Sequence, residues 1–151
     1  YVSVRFDFVE TNGNVYDIWG VQLEAGSVAT PFRLAGGGSK AAELALCQRY
    51  YSRDNAVDNY TAFATVSAQS TTTIRGSYRF PATMRTTPSV SFSGNFQAPG
   101  LDNGPFTPTM ARLNINGGDI DIVATGQTFG KASTLRASND TSAYIEIDAE
   151  L

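Results

Sequence analysis

The stretches IWGVQLEAGSVATPF, Ile18 to Phe32, and ELALCQRYY, Glu43 to Tyr51, decide how this chain is organised. The first continues a β-strand into a turn, and the second has apolar residues at helical spacing. Between them lies LAGGGSK, Leu34 to Lys40, whose composition is typical of a flexible spacer. We therefore predict a domain boundary at the spacer, with β-structure on either side and one short helix at the junction.

The helix at this junction is predicted to begin near Lys40, with Ser39 as its N-cap, and to run to about Tyr51. Leu44 and Tyr51 fall on one face, together with Cys47. A helix of about three turns is too short to persist alone, so it must pack against something. Cys47 is expected to be a small buried apolar residue of that packing.

The residues before the spacer predict the end of a domain that starts further upstream. YVSVRFDFV, Tyr1 to Val9, alternates apolar and polar residues as a half-buried strand does. Asn12-Gly13 is a strong hairpin signal, and Val15 to Leu23 is the returning strand. Because two strands alone are marginal in water, and because the chain starts at Tyr1 without Met, we expect missing upstream strands.

The residues after the helix predict an all-β, antiparallel sandwich. Strand patterns recur at short intervals with turn residues between them, which is typical of sandwiches. The strands are expected over Tyr60–Gln69, Thr72–Phe80, Ser89–Asn95, Met110–Asn116, Asp119–Thr125, Thr128–Ala137 and Ser142–Glu150. Phe96 to Thr109 holds three prolines and two glycines and is expected to be one long loop. The predicted organisation is thus 1–34, the terminal strands of an upstream domain; 35–53, the Gly-rich linker and short helix; and 54–151, the β-sandwich head.

Composition excludes several classes of function. The 151 residues carry a net charge of −3 and no basic cluster, so a nucleic-acid partner is not expected. No apolar run approaches the length of a membrane-spanning helix, so membrane insertion is not expected either. The chain has no histidine, which removes His-dependent catalytic triads and His-ligated zinc.

Acidic residues are candidates for catalytic groups and for metal ligands. Asp119 and Asp121 project from one face of a strand, as a glycosidase pair could, but a solvated strand face is favoured. Asp58 and its neighbours, and Asp102 with Asn103, offer oxygen ligands without EF-hand spacing, and loops are rich in such residues for turn reasons. We predict no catalytic residue, no metal and no cofactor.

The expected binding residues, if the chain binds a partner, lie in the long loop from Phe96 to Thr109. A rigid scaffold usually presents its binding residues on loops, and loops of this length are usually functional or disordered. Phe96 and Phe106 offer faces on which a sugar ring could stack, and Asp102 and Asn103 offer hydrogen-bonding groups. The alternative for the two phenylalanines is that they fold back over the base of the loop.

The junction also carries a family resemblance. VQLEAGSVATPF followed by ELALCQRYY resembles the C-terminal regions of bacteriophage and prophage tail fibre proteins, and FPATMRTTPSV, Phe80 to Val90, and the final IDAEL are looser matches. The resemblance implies a carbohydrate-binding-module-like jelly roll joined to a terminal β head. It also implies a homotrimer, a place in the virion and attachment to a host-surface receptor, with a glycan expected. The alternatives are the trimerising cap of a glycan-degrading tailspike and a purely structural fibre knob.

Overall fold

A computed structural model describes residues 21, 26–28, 30–32 and 38–150. Apart from residue 21, the predicted hairpin of residues 1–23 lies outside these residues, and so does most of the spacer. Both features therefore stay predictions. The described chain forms one helix, α1 (Lys40–Gln48), and ten strands. The strands are β1 (Tyr51–Asn55), β2 (Ala62–Ala68), β3 (Thr73–Arg79), β4 (Ser89–Ser93), β5 (Phe96–Ala98), β6 (Asp102–Phe106), β7 (Thr109–Asn114), β8 (Gly117–Val123), β9 (Ala132–Ala137) and β10 (Tyr144–Asp148).

The strands form two antiparallel sheets packed as a sandwich, which confirms the predicted fold class. One sheet has three strands in the order β1-β10-β4, and the other has seven in the order β6-β5-β9-β2-β3-β8-β7. Alternation along each strand determines which side faces inward: Ile74 and Tyr78 of β3 are buried, whereas Ser77 and Arg79 are exposed. The head includes β1 from Tyr51 onward, because β1 pairs with β10 along its whole length.

The core lies between the two sheets and is built from the inward-facing residues of both. Its largest fully buried side chains are Phe96, Ile74, Met84, Ile120, Ile122, Leu135, Ile145, Ile147 and Val66. Phe96 joins the layers, since its ring centroid lies 5.4 Å from that of Phe63 near the start of β2 and 5.8 Å from that of Phe92 on β4. Aromatic pairs at such distances add to the stabilisation from burial alone.

Helix α1 differs from its prediction in three respects. It ends at Gln48, because Tyr51 already pairs with Asp148 as the first residue of β1. The Ser39 side chain makes no capping hydrogen bond; its carbonyl accepts the Glu43 N–H instead. Cys47 is exposed rather than buried, because no residue of α1 is buried against the rest of the described chain.

The predicted long loop from Phe96 to Thr109 is wrong, because it contains β5 and β6. These strands pair with each other, Phe96 opposite Phe106 and Ala98 opposite Asp102, and β5 also pairs with β9. The glycines and prolines suggested a loop, but Gly104 occupies a position with φ +63° where an added Cβ would lie 2.3 Å from the Phe96 carbonyl oxygen. A glycine here permits close approach of two backbones within a sheet.

The seven-stranded sheet has two distinct ends. At one end β3 finishes and β8 begins, and there the Arg49 carbonyl at the end of α1 accepts the Arg85 N–H. At the other end three connections meet: residues 69–72 between β2 and β3, residues 99–103 around the turn from β5 to β6, and residues 124–131 between β8 and β9. We call these three segments the distal tip. At about 3.3 Å per residue, the seven residues of β3 place this tip about 20 Å from the end that carries α1.

Helix α1, the one helix among the described residues, is not long and apolar enough to cross a membrane. Over the same residues, no group of three or more His, Cys, Asp or Glu side chains is placed to hold a metal ion.

Candidate functional site

Two of the four predicted receptor-binding residues, Asp102 and Asn103, lie at the distal tip. Each is anchored by a turn hydrogen bond: Asp102 Oδ1 accepts the Gly104 N–H at 2.9 Å, and Asn103 Oδ1 accepts the Gly100 N–H at 3.3 Å. These bonds follow from the tendency of Asp and Asn side chains to close turns on their own backbone. They hold both side chains in place and leave the Asn103 Nδ2 group without a partner among the described residues.

The other two predicted residues lie at the open end of the same hairpin, away from the tip. Phe96 is 0% exposed, so the prediction that it presents a stacking face is wrong; its ring belongs to the core. Phe106 is half-buried and packs against that core. The sequence placed all four residues in one loop, whereas strand pairing separates the aromatic pair from the polar pair.

The connection from β8 to β9 completes the distal tip. The Gln127 amide Nε2 donates to the carbonyls of Leu101, at 3.1 Å, and Thr125, at 3.0 Å, and thereby ties this connection to the β5–β6 turn. Its backbone N–H donates to the Thr71 carbonyl in the third segment. The Lys131 ammonium lies beside Gly100, 3.8 Å from where a Cβ on that glycine would stand. The three segments are thus one hydrogen-bonded surface.

Phe129 protrudes from this surface. The Lys131 N–H donates to the Thr128 carbonyl at 3.2 Å, and Gly130 has φ +79°, so residues 128–131 form a tight turn with glycine in its third position. Phe129 occupies the second position and is 76% exposed, the most exposed aromatic residue in the part of the chain that the structure describes. Arginine side chains lie over Tyr50 and Tyr60, but no such partner covers Phe129.

The sequence prediction missed Phe129 because it placed residues 128–137 in a strand. The strand begins only at Ala132. The available signal was the Phe129-Gly130 pair, since a glycine next to an aromatic residue fits the corner of a turn better than the middle of a strand.

A second polar cluster lies on the outer face of the seven-stranded sheet. Arg75 of β3 forms a two-pronged ion pair with Asp121 of β8, with Nη2 2.6 Å from Oδ2, and Arg112 of β7 pairs with Asp119 at 2.9 Å. The Arg75 hydrogen bond holds the pKa of Asp121 below its ordinary value. A general acid in glycoside hydrolysis needs a raised pKa, so Asp121 is unsuited to that part. The sequence analysis favoured a solvated strand face for these two aspartates, whereas in the structure both are in ion pairs.

Two acidic residues in and after β1, Asp54 and Asp58, also accept hydrogen bonds within the protein. Asp54 Oδ2 accepts the Tyr78 hydroxyl at 3.1 Å, and burial together with this carboxylate raises the pKa of Tyr78 far above its ordinary value. Asp58 Oδ1 accepts the Tyr60 N–H at 2.8 Å, and Thr61 Oγ1 accepts the Val57 and Asp58 N–H groups. Asp58 thus serves turn geometry in this loop, as the composition argument favoured.

Helix α1 and the start of β1 carry further exposed apolar side chains. Leu44 is 57% exposed, and Leu46, Tyr50 and Tyr51 are also exposed. We call these four residues the α1 patch. Tyr51 donates its hydroxyl to Glu146 Oε2 at 2.8 Å, which raises the pKa of the tyrosine, and Arg85 lies over the Tyr50 ring. The leucines have no comparable cover in the described chain.

Comparison with protein-family models, with curated proteins and with solved structures found no match for this chain.

Proposed function

We propose that this chain is the distal part of a phage or prophage tail fibre, that it assembles as a homotrimer, and that it attaches the virion to a host-surface glycan without chemistry of its own. The family resemblance at the junction of Ile18 to Tyr51 supplies the phage context. The observation that carries the assembly is the α1 patch.

The argument for assembly rests on the helix. An isolated helix of nine residues is unstable in water, and most helices are stabilised by packing of an apolar face. Helix α1 has no buried residue, yet it carries Leu44 and Leu46 on its surface. Packing against a second and third copy of the chain would bury the Leu44 side of this helix around a symmetry axis; Leu46, two positions later, lies on another side of the helix. The exposed Cys47 on the same helix would then be shielded in the assembly.

The argument for attachment rests on what the head offers to a partner. The described residues form a β-sandwich with a cluster of polar groups and one exposed aromatic ring at the end opposite the one that carries α1. A site in this position would meet the host first in a fibre that ends with this head. Three copies would add avidity to weak single-site contacts.

The experiment that tests attachment is binding of the fluorescently labelled 151-residue chain to immobilised bacterial polysaccharides and lipopolysaccharides. Retention of the chain on a subset of these glycans is the expected result. Binding to none of them, by a chain that is trimeric by light scattering, would favour the purely structural knob. A longer fibre that releases new reducing ends from the bound glycan would instead favour the tailspike cap.

A further inference from the structure

We propose that the glycan-binding site is the distal tip, with the ring of Phe129 as a stacking platform for a pyranose and with Asn103, Gln127 and Lys131 as its polar partners. This inference rests on the proposed function and deepens it, because it names the residues and the chemical class of the ligand.

The exposed ring of Phe129 is the proposed stacking platform. A pyranose presents a face of C–H groups that packs on an aromatic ring, and the Phe129 ring, which is 76% exposed, is open to such a contact. The Thr128–Lys131 turn fixes the backbone on either side of Phe129, and the Gly130 N–H and Lys131 carbonyl both bond to Ala68 at the end of β2. The ring is therefore held out from the sheet by a rigid support rather than by a loose loop.

Preorganised polar groups are the second part. Asn103 uses its Oδ1 in the β5–β6 turn and keeps Nδ2 to donate, whereas Gln127 uses its Nε2 and keeps Oε1 to accept. Each amide is thus fixed at one atom and open at the other, which lowers the entropy lost when a hydroxyl binds. Hydroxyl groups of sugars both donate and accept, so this pair matches their chemistry.

The positive charge of Lys131 at the tip narrows the class of glycan that we expect to bind there. No carboxylate of the described residues pairs with the Lys131 ammonium. The Lys131 ammonium lies beside Gly100, next to the Asn103 turn, and Lys131 is two residues from Phe129 in the sequence. An ammonium in this position favours a glycan that carries an anionic group, such as a uronic acid, close to the stacked ring. The predicted residue Asp102 remains part of the tip, where it shapes the turn through Gly104.

The outer sheet face is the competing location, and it is weaker. Its arginines already pair with Asp119 and Asp121, so a ligand would have to break those ion pairs. In the part of the chain that the structure describes, that face has no exposed aromatic ring beside the pairs.

The test compares variants of Phe129 in the 151-residue chain on the polysaccharide that binds wild type best. Phe129→Ala and Phe129→Leu should weaken binding roughly tenfold, because both remove the stacking face, whereas Phe129→Trp should retain it. Lys131→Gln should weaken binding to an acidic polysaccharide and leave a neutral one unchanged. Val123→Ala, an exposed apolar residue at the same end of the sheet, is the matched control and should bind as wild type does.

The outcomes separate this inference from the proposed function. Equal binding by wild type and Phe129→Ala, with unchanged melting temperatures, would overturn the tip site while leaving glycan attachment intact. A wild-type trimer that binds no glycan would overturn both. Loss of binding in Phe129→Ala together with loss of the trimer would also overturn the site, because Phe129 would then be an assembly contact.

Discussion

Replacing Phe96 with alanine tests the reassignment of this residue from receptor site to core. The ring is fully buried and touches Phe63 of the larger sheet and Phe92 of the smaller one. Truncation of a buried phenylalanine to alanine costs about 3–5 kcal/mol, from lost transfer free energy and from the cavity left behind. Two aromatic contacts are lost as well, each worth about 0.5–1.5 kcal/mol, so the upper part of that range is expected.

The assay is thermal unfolding followed by circular dichroism. For a chain of this size about 1 kcal/mol corresponds to roughly 4 °C, so a loss in the upper part of that range should lower the melting temperature of Phe96→Ala by about 16–20 °C. Phe129→Ala removes the same side chain from an exposed position and should change it by no more than about 2 °C. If the two variants melted within a few degrees of each other, the assignment of Phe96 to the core and Phe129 to the surface would be refuted.

Three further predictions follow from the same structure. Leu44→Asp should dissociate the trimer, because burying a charge in the seam costs several kcal/mol; Val57→Asp, an exposed apolar residue beyond the other end of β1, should leave it intact, and equal masses for both variants by light scattering would contradict the α1 patch. Gly104→Ala should lower the melting temperature far more than Gly126→Ala, since both glycines have positive φ but only at Gly104 would the added Cβ meet a backbone oxygen, at 2.3 Å; similar losses would show that the close approach is absent. The pKa values of Asp121 and Asp140 are lowered by their hydrogen bonds, so the stability they contribute is present above the unfolded pKa and is lost as pH falls through the folded value. The melting temperature should therefore drop below about pH 4, less so in Asp121→Asn, and a flat profile would contradict this.

The architecture of the head was predictable because most of its strands have a local sequence pattern, the alternation of apolar and polar residues. The alternation of Ile74, Gly76 and Tyr78 against Arg75 and Ser77 is visible in the sequence and matches the inward and outward faces of β3. The same locality explains the errors. Strand β5 has only three residues and is defined by pairing with β9, about forty positions later, which no local pattern reveals.

The candidate site was only half predictable for a related reason. Asp102 and Asn103 were recognised because turn residues are locally encoded. Phe129 joins them through hydrogen bonds of Gln127 to Leu101 and Thr71, which are contacts between segments distant in sequence. The exposure of Cys47 likewise could not be deduced, because helical spacing shows which face is apolar and not what covers it.

The most direct test of the account is the mass of the 151-residue chain in solution, measured by light scattering at micromolar concentration. We propose that the α1 patch is covered by two further copies of the chain. This proposal therefore predicts a mass of about 48 kDa, three times the 16.1 kDa of one chain. A mass of 16.1 kDa would contradict it, because the leucines of α1 would then remain in water with no partner.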